Sequence, residues 1–172
     1  LGSASLVLQE GFTVGALIAV SAAGSAVMGD SKHFWAAPFE MGSEYGNLGV
    51  FSDYNKKETG FPAKRPITGE ATTIGIVATN ATLDKSQATR VAIAAHDGIA
   101  RALVPSHTPF DGDLLFSIST RKVALKDEIL DTMKIGHAAA QCVSRSIARA
   151  IYNAKADALD RLPVWKTLEN KK

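Results

Sequence analysis

Two threonines and two aspartates stand out as residues that could do chemistry together. Thr72 and Thr73 open an apolar, β-branched run, and further along the chain Asp111 and Asp113 flank a single glycine. A threonine hydroxyl becomes a nucleophile when a base takes its proton, and a free α-amino group, with a pKa of about 7.7–8.0, can be that base at neutral pH. If the peptide bond before Thr72 breaks, one residue carries both groups. The pattern therefore predicts a self-cleaving chain with an N-terminal threonine nucleophile.

The bond that would have to break joins Ala71 to Thr72. The small Ala71 side chain leaves its carbonyl open to attack by the Thr72 hydroxyl, an N-to-O acyl shift that ends as two chains. Residues 52–71, rich in lysine, proline and glycine, are predicted to be an exposed linker leading to this bond. We predict cleavage into residues 1–71 and 72–172. The alternative interpretation is that Thr72 is only a strand former, the usual role of a β-branched residue at a strand start.

The two aspartates admit three interpretations. Carboxylates two residues apart on an extended chain point to the same face, where Asp111 and Asp113 could hold the new ammonium and take a proton from a hydroxyl. They could also bind Mg²⁺ or Ca²⁺, or simply form an Asp-Gly turn. No further acidic cluster with the spacing of a calcium site follows. We therefore favour acid and base roles and predict no metal.

The remaining candidates are interpreted as structural residues. His107 lies near Asp111 in sequence, but no nucleophile elbow accompanies it, so we interpret it as a hydrogen-bonding residue. His96 and His137 are expected in helices as core or supporting residues, and Cys142 as a core residue. The chain contains no glycine-rich phosphate loop and no paired cysteine motif, which gives no support to a nucleotide or zinc site.

Composition excludes several classes of protein. The 172 residues carry a net charge of only +2, and no basic run interleaves with aromatic residues, so a nucleic-acid partner is not expected. No apolar segment is long enough to span a membrane. One cysteine allows no internal disulfide, and a cytoplasmic location is expected. Because the chain opens at Leu1 without a methionine, we expect a single domain that is the C-terminal portion of a larger precursor.

Hydrophobic periodicity predicts a sheet covered by helices. Residues 13–20, before the linker, are apolar on both faces, as in a covered central strand, and residues 72–79, after it, indicate a second buried strand. After the linker, strand and helix alternate, with Asp84 as an N-cap and Pro105 as the stop signal of the first helix. The predicted strands cover residues 6–8, 13–20, 72–79 and 114–120, and the predicted helices cover 84–103 and 126–160.

Several of these stretches together resemble one family. The chain is similar to the self-processing L-aminopeptidase/D-alanyl-esterase-amidase family, which also contains the β-aminopeptidases and the nylon-oligomer hydrolases. The most specific part is a Thr-Thr strand followed by a helix, a His-Thr pair and Asp-Gly-Asp. The matching stretches are residues 1–5, 13–20, 72–80, 96–102 and 107–113.

The resemblance implies an α+β fold, a layered sandwich of two β-sheets flanked by helices (α/β/β/α) of the N-terminal-nucleophile type. It implies Thr72 as nucleophile, Asp111 and Asp113 as its partners, and no cofactor. Residues 1–71 would end an α-subunit and residues 72–172 would form the β-subunit. The partners would be a small amide or peptide substrate, the chain's own upstream segment, and further copies of the processed heterodimer in a homo-oligomer.

One departure concerns the oxyanion. Where the family commonly has an asparagine donor after the second strand, this chain has Ser21, whose hydroxyl is shorter. The expected reaction is hydrolysis of linear amides, such as peptides, β-peptides or nylon-type oligomers, through an acyl-enzyme. Two alternatives stay open: an acyltransferase resembling the ornithine acetyltransferases, and an unprocessed, inactive subunit that only assembles with its partner.

Overall fold

The computed structural model describes residues 1–52, 71–160 and 163–168, so the predicted linker lies outside the described residues except at its two ends. Within these residues, four strands, two α-helices and two short 3₁₀ helices follow one another. In order they are β1 (Gly2–Val7), β2 (Thr13–Ser21), a 3₁₀ helix (Ala37–Phe39), β3 (Thr72–Ala81), α1 (Lys85–Ala100), β4 (Leu114–Val123), α2 (Glu128–Tyr152) and a 3₁₀ helix (Trp165–Thr167).

The four strands form one mixed sheet in the order β1-β2-β3-β4. β1, β2 and β3 are antiparallel neighbours, whereas β3 and β4 are parallel and are connected through α1. The register places Ser21 opposite Thr72, and Ile74 opposite Leu114. The start of β3, the end of β2 and the segment that enters β4 therefore meet at one end of the sheet.

Among the described residues, the helices cover only one face of this sheet. Alternate side chains of β2 and β3 point towards the helices and are fully buried, among them Ile18 and Val77. The side chains between them point to the other face, where the exposed large apolar residues of β2, β3 and β4 are Leu17, Ile74, Leu114, Phe116 and Ile118, which we call the open face. The expectation that β2 and β3 are covered on both sides is wrong within the described residues, where Leu17 is 45% and Ile74 43% exposed.

The α+β class is confirmed. The part of the chain that the structure describes contains one mixed sheet and one helical layer, whereas the resemblance implies two sheets and two helical layers. Within the same residues, neither helix has the length and apolar character needed to cross a membrane.

Helix α1 begins as predicted but ends early. Asp84 accepts a hydrogen bond from the Gln87 N–H at 2.7 Å, and the Gln87 side chain accepts one from the Asp84 N–H at 2.9 Å, which completes a capping box. The helix ends at Ala100, so Pro105 is not its stop signal. The chain leaves the helix because Val104 pairs with Ser25 through two backbone hydrogen bonds of 2.9 and 3.0 Å, which require extended backbone.

Helix α2 is shorter than predicted and packs differently. It ends at Tyr152, where the Asn153 side chain donates to the Arg149 carbonyl at 2.9 Å. Ile129 and Met133 share one helical face with the buried Val143 in the sequence pattern, yet they are 82% and 61% exposed. Residues 138–148 are buried almost all round, so their apolar positions do not define one stripe that could be extended back to the first turns.

Candidate active site

Thr72 and Thr73 point to opposite sides of the sheet. Successive side chains of a strand alternate between its faces, so the half-buried Thr72 shares the side of Leu17 and Ile74, while Thr73 faces the helices and is 0% exposed. Among the described residues, the buried Thr73 hydroxyl has no hydrogen-bond partner. Only the first threonine of the pair is therefore available for chemistry on the open side.

The carbonyl oxygen of Ala71 receives two hydrogen bonds. The Thr72 hydroxyl donates to it at 2.7 Å, and the Gly112 N–H donates at 2.8 Å. Ala71 is itself 5% exposed, its N–H donates to the Phe110 carbonyl at 3.2 Å, and it pairs in parallel with Asp111. Ala71 is thus paired with the segment before β4 and does not belong to an exposed linker, contrary to the prediction. Attack by a neighbouring hydroxyl needs no access from solvent.

Gly112 brings the Asp-Gly-Asp segment against the nucleophile candidate. A methyl group at position 112 would lie 3.0 Å from the Thr72 hydroxyl oxygen, closer than nine in ten real contacts of this kind. The glycine therefore allows Asp111 and Asp113 to flank Thr72 without crowding its hydroxyl.

Asp113 is almost fully enclosed, with a side chain that is 5% exposed. Its Oδ1 accepts the Thr73 N–H at 2.9 Å. Its Oδ2 accepts the Nδ1 of His107 at 2.8 Å and the His107 backbone N–H at 3.3 Å. The carboxylate thus contacts the backbone directly after Thr72.

Asp111 is held in the same manner by a different residue. Its Oδ2 accepts the Thr108 hydroxyl at 2.6 Å and the Thr108 N–H at 2.9 Å, and its Oδ1 accepts the Ala23 N–H at 3.1 Å. Burial by itself raises the pKa of the Asp111 carboxyl, but these hydrogen bonds, together with the nearby His107, outweigh it and lower the pKa below its ordinary value. Asp111 is therefore ionised at neutral pH and able to hold a cation.

Ser21 ends β2 directly across from Thr72. Residues opposite each other in an antiparallel pair share a face, with Cβ atoms about 4.5–5.5 Å apart. The Ser21 side chain is exposed there. The pairing brings Ser21 next to the Thr72 hydroxyl, which is what an oxyanion donor at this position requires.

A cavity of about 510 Å³ adjoins this end of the sheet. Ser21 and Ala23 line it, as do Leu103 and Trp165, whereas Thr72 and the two aspartates do not. Residues 22–27, the loop after β2, thus form one wall of the cavity, and the Ala23 N–H in this loop donates to Asp111.

His107 forms hydrogen bonds, as predicted, but its partner is Asp113 and not the Asp111 nearer to it in sequence. The His96 ring lies against it, with ring centroids 5.3 Å apart. Burial, and then the neighbouring His107, lower the pKa of His96 below its ordinary value, against the opposing effect of Asp113. Sequence reasoning missed Thr108, although the His-Thr pair, separated from Asp-Gly-Asp by only two residues, was a usable signal.

The other side chains considered from the sequence lie elsewhere. Cys142 is buried as predicted, and burial raises the pKa of its thiol to about 11, so it is not a nucleophile at neutral pH. His137 is exposed and pairs with Gln141, so its prediction as a core residue is wrong. Within the described ranges, no group of three or more His, Cys, Asp or Glu side chains could hold a metal ion.

Comparison with known proteins gives consistent results. Residues 1–159 match peptidase family S58. An uncharacterized aminopeptidase of Mycobacterium tuberculosis is 35% identical over 173 residues, which cover 90% of this chain and 48% of the relative. An uncharacterized aminopeptidase of Mycobacterium leprae is 33% identical over 166 residues, covering 90% and 44%. This chain therefore spans about half the length of the curated relatives that it matches.

Among solved structures, the L-aminopeptidase D-Ala-esterase/amidase of Ochrobactrum anthropi superposes with a TM-score of 0.56 at 22% identity. The superposition covers 87% of this chain and 39% of that one, which is described as a variant of the Ntn hydrolase fold. At this identity the likeness establishes the fold and nothing further.

Proposed function

Because the chain belongs to peptidase family S58, we propose that it carries the nucleophile of a self-processing amide hydrolase, and that this nucleophile is Thr72. The observation that supports the proposal most is the Ala71 carbonyl, whose oxygen receives both the Thr72 hydroxyl and the Gly112 N–H, at 2.7 and 2.8 Å. A carbonyl polarised by two donors, one of them a neighbouring hydroxyl, is prepared for nucleophilic attack.

Processing would begin when the Thr72 hydroxyl turns from the carbonyl oxygen to the carbonyl carbon of Ala71. A C–O ester bond forms, the C–N peptide bond breaks, and the hydroxyl proton passes to the departing nitrogen of Thr72. The negative charge on the Ala71 oxygen in the intermediate would be stabilised by the Gly112 N–H that already contacts it. Water then hydrolyses the ester, leaving a carboxylate on Ala71 and a free α-amino group on Thr72.

Substrate hydrolysis would reuse the same hydroxyl. The free α-amino group of Thr72 takes the hydroxyl proton while the oxygen attacks the substrate carbonyl, and then gives that proton to the departing amine. Asp111 and Asp113 would hold the resulting ammonium, and Ser21 would donate to the oxyanion. Water releases the acyl group from Thr72. The chemistry needs no cofactor.

The substrates would be linear amides, such as peptides, β-peptides or nylon-type oligomers. Curated relatives bear the name aminopeptidase, which supports the peptide class. The 510 Å³ cavity beside Ser21 is lined mostly by small and apolar side chains, which would suit the uncharged part of such a substrate.

The open face would be covered by the chain's own upstream segment. Phe116 is 54% exposed, and Leu17, Leu114 and Ile118 are each exposed by more than two fifths, although all four share one side of one sheet. Contiguous apolar surface of this kind is usually buried in the complete protein. A second sheet on this face would complete the α/β/β/α sandwich and would wall the site around Thr72.

The experiment is an intact-mass measurement on the protein expressed with its upstream segment, combined with sequencing of any new N-terminus. We expect two chains, the second beginning at Thr72, and turnover of an amino-acid p-nitroanilide. Thr72→Ala should give one uncleaved, inactive chain. Cleavage of the Thr72→Ala variant at the same bond, or full activity of an uncleaved chain, would overturn the proposal. Formation of acylated product with an added amine, at the expense of hydrolysis, would instead favour the acyltransferase.

A further inference from the structure

Two consecutive residues, His107 and Thr108, each bind one of the two carboxylates through two donors. His107 gives its backbone N–H and its Nδ1 to a single oxygen of Asp113, at 3.3 and 2.8 Å. Thr108 gives its backbone N–H and its hydroxyl to a single oxygen of Asp111, at 2.9 and 2.6 Å. We call this pair of residues the clasp. Each remaining carboxylate oxygen accepts a backbone N–H from a strand or loop at the site, Thr73 or Ala23.

The clasp is maintained at a conformational cost. His107 has a φ of +54°, in the left-handed region that only a few per cent of residues other than glycine adopt, histidine being among the more frequent of these. Such a conformation persists only where surrounding contacts enforce it. Here it lets the backbone and the ring of one residue reach the same oxygen of Asp113, and the His96 ring packs against that ring.

We propose that His107 and Thr108 are positioning residues, which fix Asp113 and Asp111 beside Thr72 so that both carboxylates keep their places when the Ala71–Thr72 bond is cut. Cleavage turns Thr72 from a mid-chain residue into a chain end and removes the peptide that holds its nitrogen. The Thr73 N–H and the Ala23 N–H each occupy only one oxygen of a carboxylate. The clasp supplies the second attachment, and none of its donors belongs to the segment that cleavage releases.

The inference rests on the proposed function, in which the two carboxylates serve Thr72, and it also makes a prediction that does not depend on activity. If the clasp orients the carboxylates, removing one donor should weaken the bond at the other oxygen of the same carboxylate. The Thr73 N–H therefore reports on His107, and the Ala23 N–H reports on Thr108.

Four substitutions separate the donor from the rest of each side chain. His107→Asn puts an amide nitrogen where Nδ1 stands and tolerates a positive φ, whereas His107→Gln moves the donor outward by one methylene. Thr108→Ser keeps the hydroxyl, whereas Thr108→Val removes it at the same shape. His137→Gln, on the exposed surface of α2, serves as the histidine control.

The protein expressed with its upstream segment is measured in three ways: kcat and KM on an amino-acid p-nitroanilide, the melting temperature, and hydrogen exchange of the two reporter amides. We expect His107→Gln and Thr108→Val to lower kcat about tenfold to a hundredfold, with little change in KM. This range corresponds to the loss of one hydrogen bond to a charged group. We expect His107→Asn and Thr108→Ser to stay within about threefold of the wild type, because each keeps its donor.

Hydrogen exchange provides a second test, which does not depend on activity. His107→Gln should speed exchange at Thr73 and leave Ala23 unchanged, and Thr108→Val should do the reverse. Unchanged kcat and unchanged exchange in both donor-removing variants would overturn the inference, as would a His107→Asn variant as impaired as His107→Gln. A kcat that falls only in proportion to melting temperature would also count against it. A wild-type protein that neither cleaves nor turns over substrate would refute the proposed function, while the exchange pattern would still decide for or against the clasp.

Discussion

The two faces of the β3–β4 sheet differ more than their sequences do. On the helix-covered face, Thr73, Val77 and Leu115 are 0 to 5% exposed and pack against α1 and α2. On the open face, Ile74 and Phe116 are equally apolar yet 43% and 54% exposed. Chemistry-bearing residues occur on the open side, where Ser21 and Thr72 pair. The covered face belongs to a packed hydrophobic core, whereas the open face combines a candidate catalytic centre with exposed apolar surface.

The comparison explains how neighbours along one strand can do unrelated work. Because strand side chains alternate, a single step along β3 moves from the candidate nucleophile to a core position, and a single step along β4 moves from a core leucine to an exposed phenylalanine. The same substitution at two adjacent residues should therefore have opposite consequences, which makes adjacent pairs the sharpest probes of the fold and of the site.

The largest difference is expected for threonine-to-valine changes at positions 72 and 73. Thr72→Val should abolish chain cleavage and turnover, because it removes the attacking oxygen. Thr73→Val should leave both intact and raise the free energy of unfolding by about 1 kcal/mol, because it removes a buried hydroxyl without a partner. Intact mass, kcat and denaturant unfolding measure these effects. If the Thr73→Val variant folds normally but does not cleave, the nucleophile is Thr73 and the assignment to Thr72 is wrong.

The carboxylates should come next in size. Asp111→Asn and Asp113→Asn should each lower turnover by at least about a hundredfold, the scale expected for loss of a positioned acid or base, with the fold retained. Asp131→Asn is the matched control, because Asp131 is also buried and accepts two backbone N–H groups, but at the start of α2. It should lower the melting temperature without lowering kcat. If kcat falls equally in all three variants, Asp111 and Asp113 act only as hydrogen-bond acceptors that stabilise the fold.

The pair Leu115 and Phe116 tests the two faces directly. Leu115→Glu should unfold the protein, because it buries a charge in the covered core. Phe116→Glu should change the melting temperature of the isolated chain by no more than a few degrees. It should weaken the association of the chain with a separately expressed upstream segment by about tenfold or more, because about 1.4 kcal/mol of apolar burial is lost. Calorimetric titration measures the association. Unchanged affinity in the Phe116→Glu variant would show that this face is not where the upstream segment binds.

The smallest effect is expected at Ser21. Ser21→Ala should lower kcat by about tenfold or less, below the roughly 3–4 kcal/mol that a well-aligned oxyanion donor contributes, and Ser21→Asn should maintain or raise it. If Ser21 is only a small residue at a strand end, Ser21→Ala will be kinetically silent and Ser21→Asn will lower the melting temperature through overpacking. Side-by-side kcat and melting measurements on the two variants distinguish these results.

Local signals in the sequence predicted the elements that local physics determines. The N-cap of α1 follows from Asp84 and Gln87, which satisfy each other's backbone without help from the rest of the fold. The alternation over residues 114–120 likewise predicted a strand, which the structure places at Leu114–Val123. The wrong prediction that β2 and β3 are covered on both sides also has a physical reason. Their sequences are apolar on both faces, and the described residues contain no layer that covers the second face.

The contacts that complete the candidate site could not be predicted in this way. The donor to Asp111 from the loop after β2 is the backbone N–H of Ala23, a group that every residue except proline possesses and that leaves no trace in the residue type. The partner of His107 was equally inaccessible, because the left-handed turn at residue 107 directs its ring to Asp113. Sequence reveals which groups carry chemistry, whereas tertiary pairing decides which of them touch.

The pairing of Ala71 with the segment before β4 also has a consequence for kinetics. Its N–H and its carbonyl oxygen are hydrogen-bonded to the backbone of Phe110 and Gly112, and neither hydrogen bond uses the Thr72 nitrogen, so both can persist after the C–N bond between Ala71 and Thr72 is cut. A freshly cut protein would thus retain its own C-terminal residue as a bound product in front of Thr72. We expect a lag between the appearance of cut chains, followed by mass, and the onset of turnover. The lag should not depend on protein concentration, since departure of a tethered product is a unimolecular step; a lag that shortens with concentration would point to assembly as the slow event.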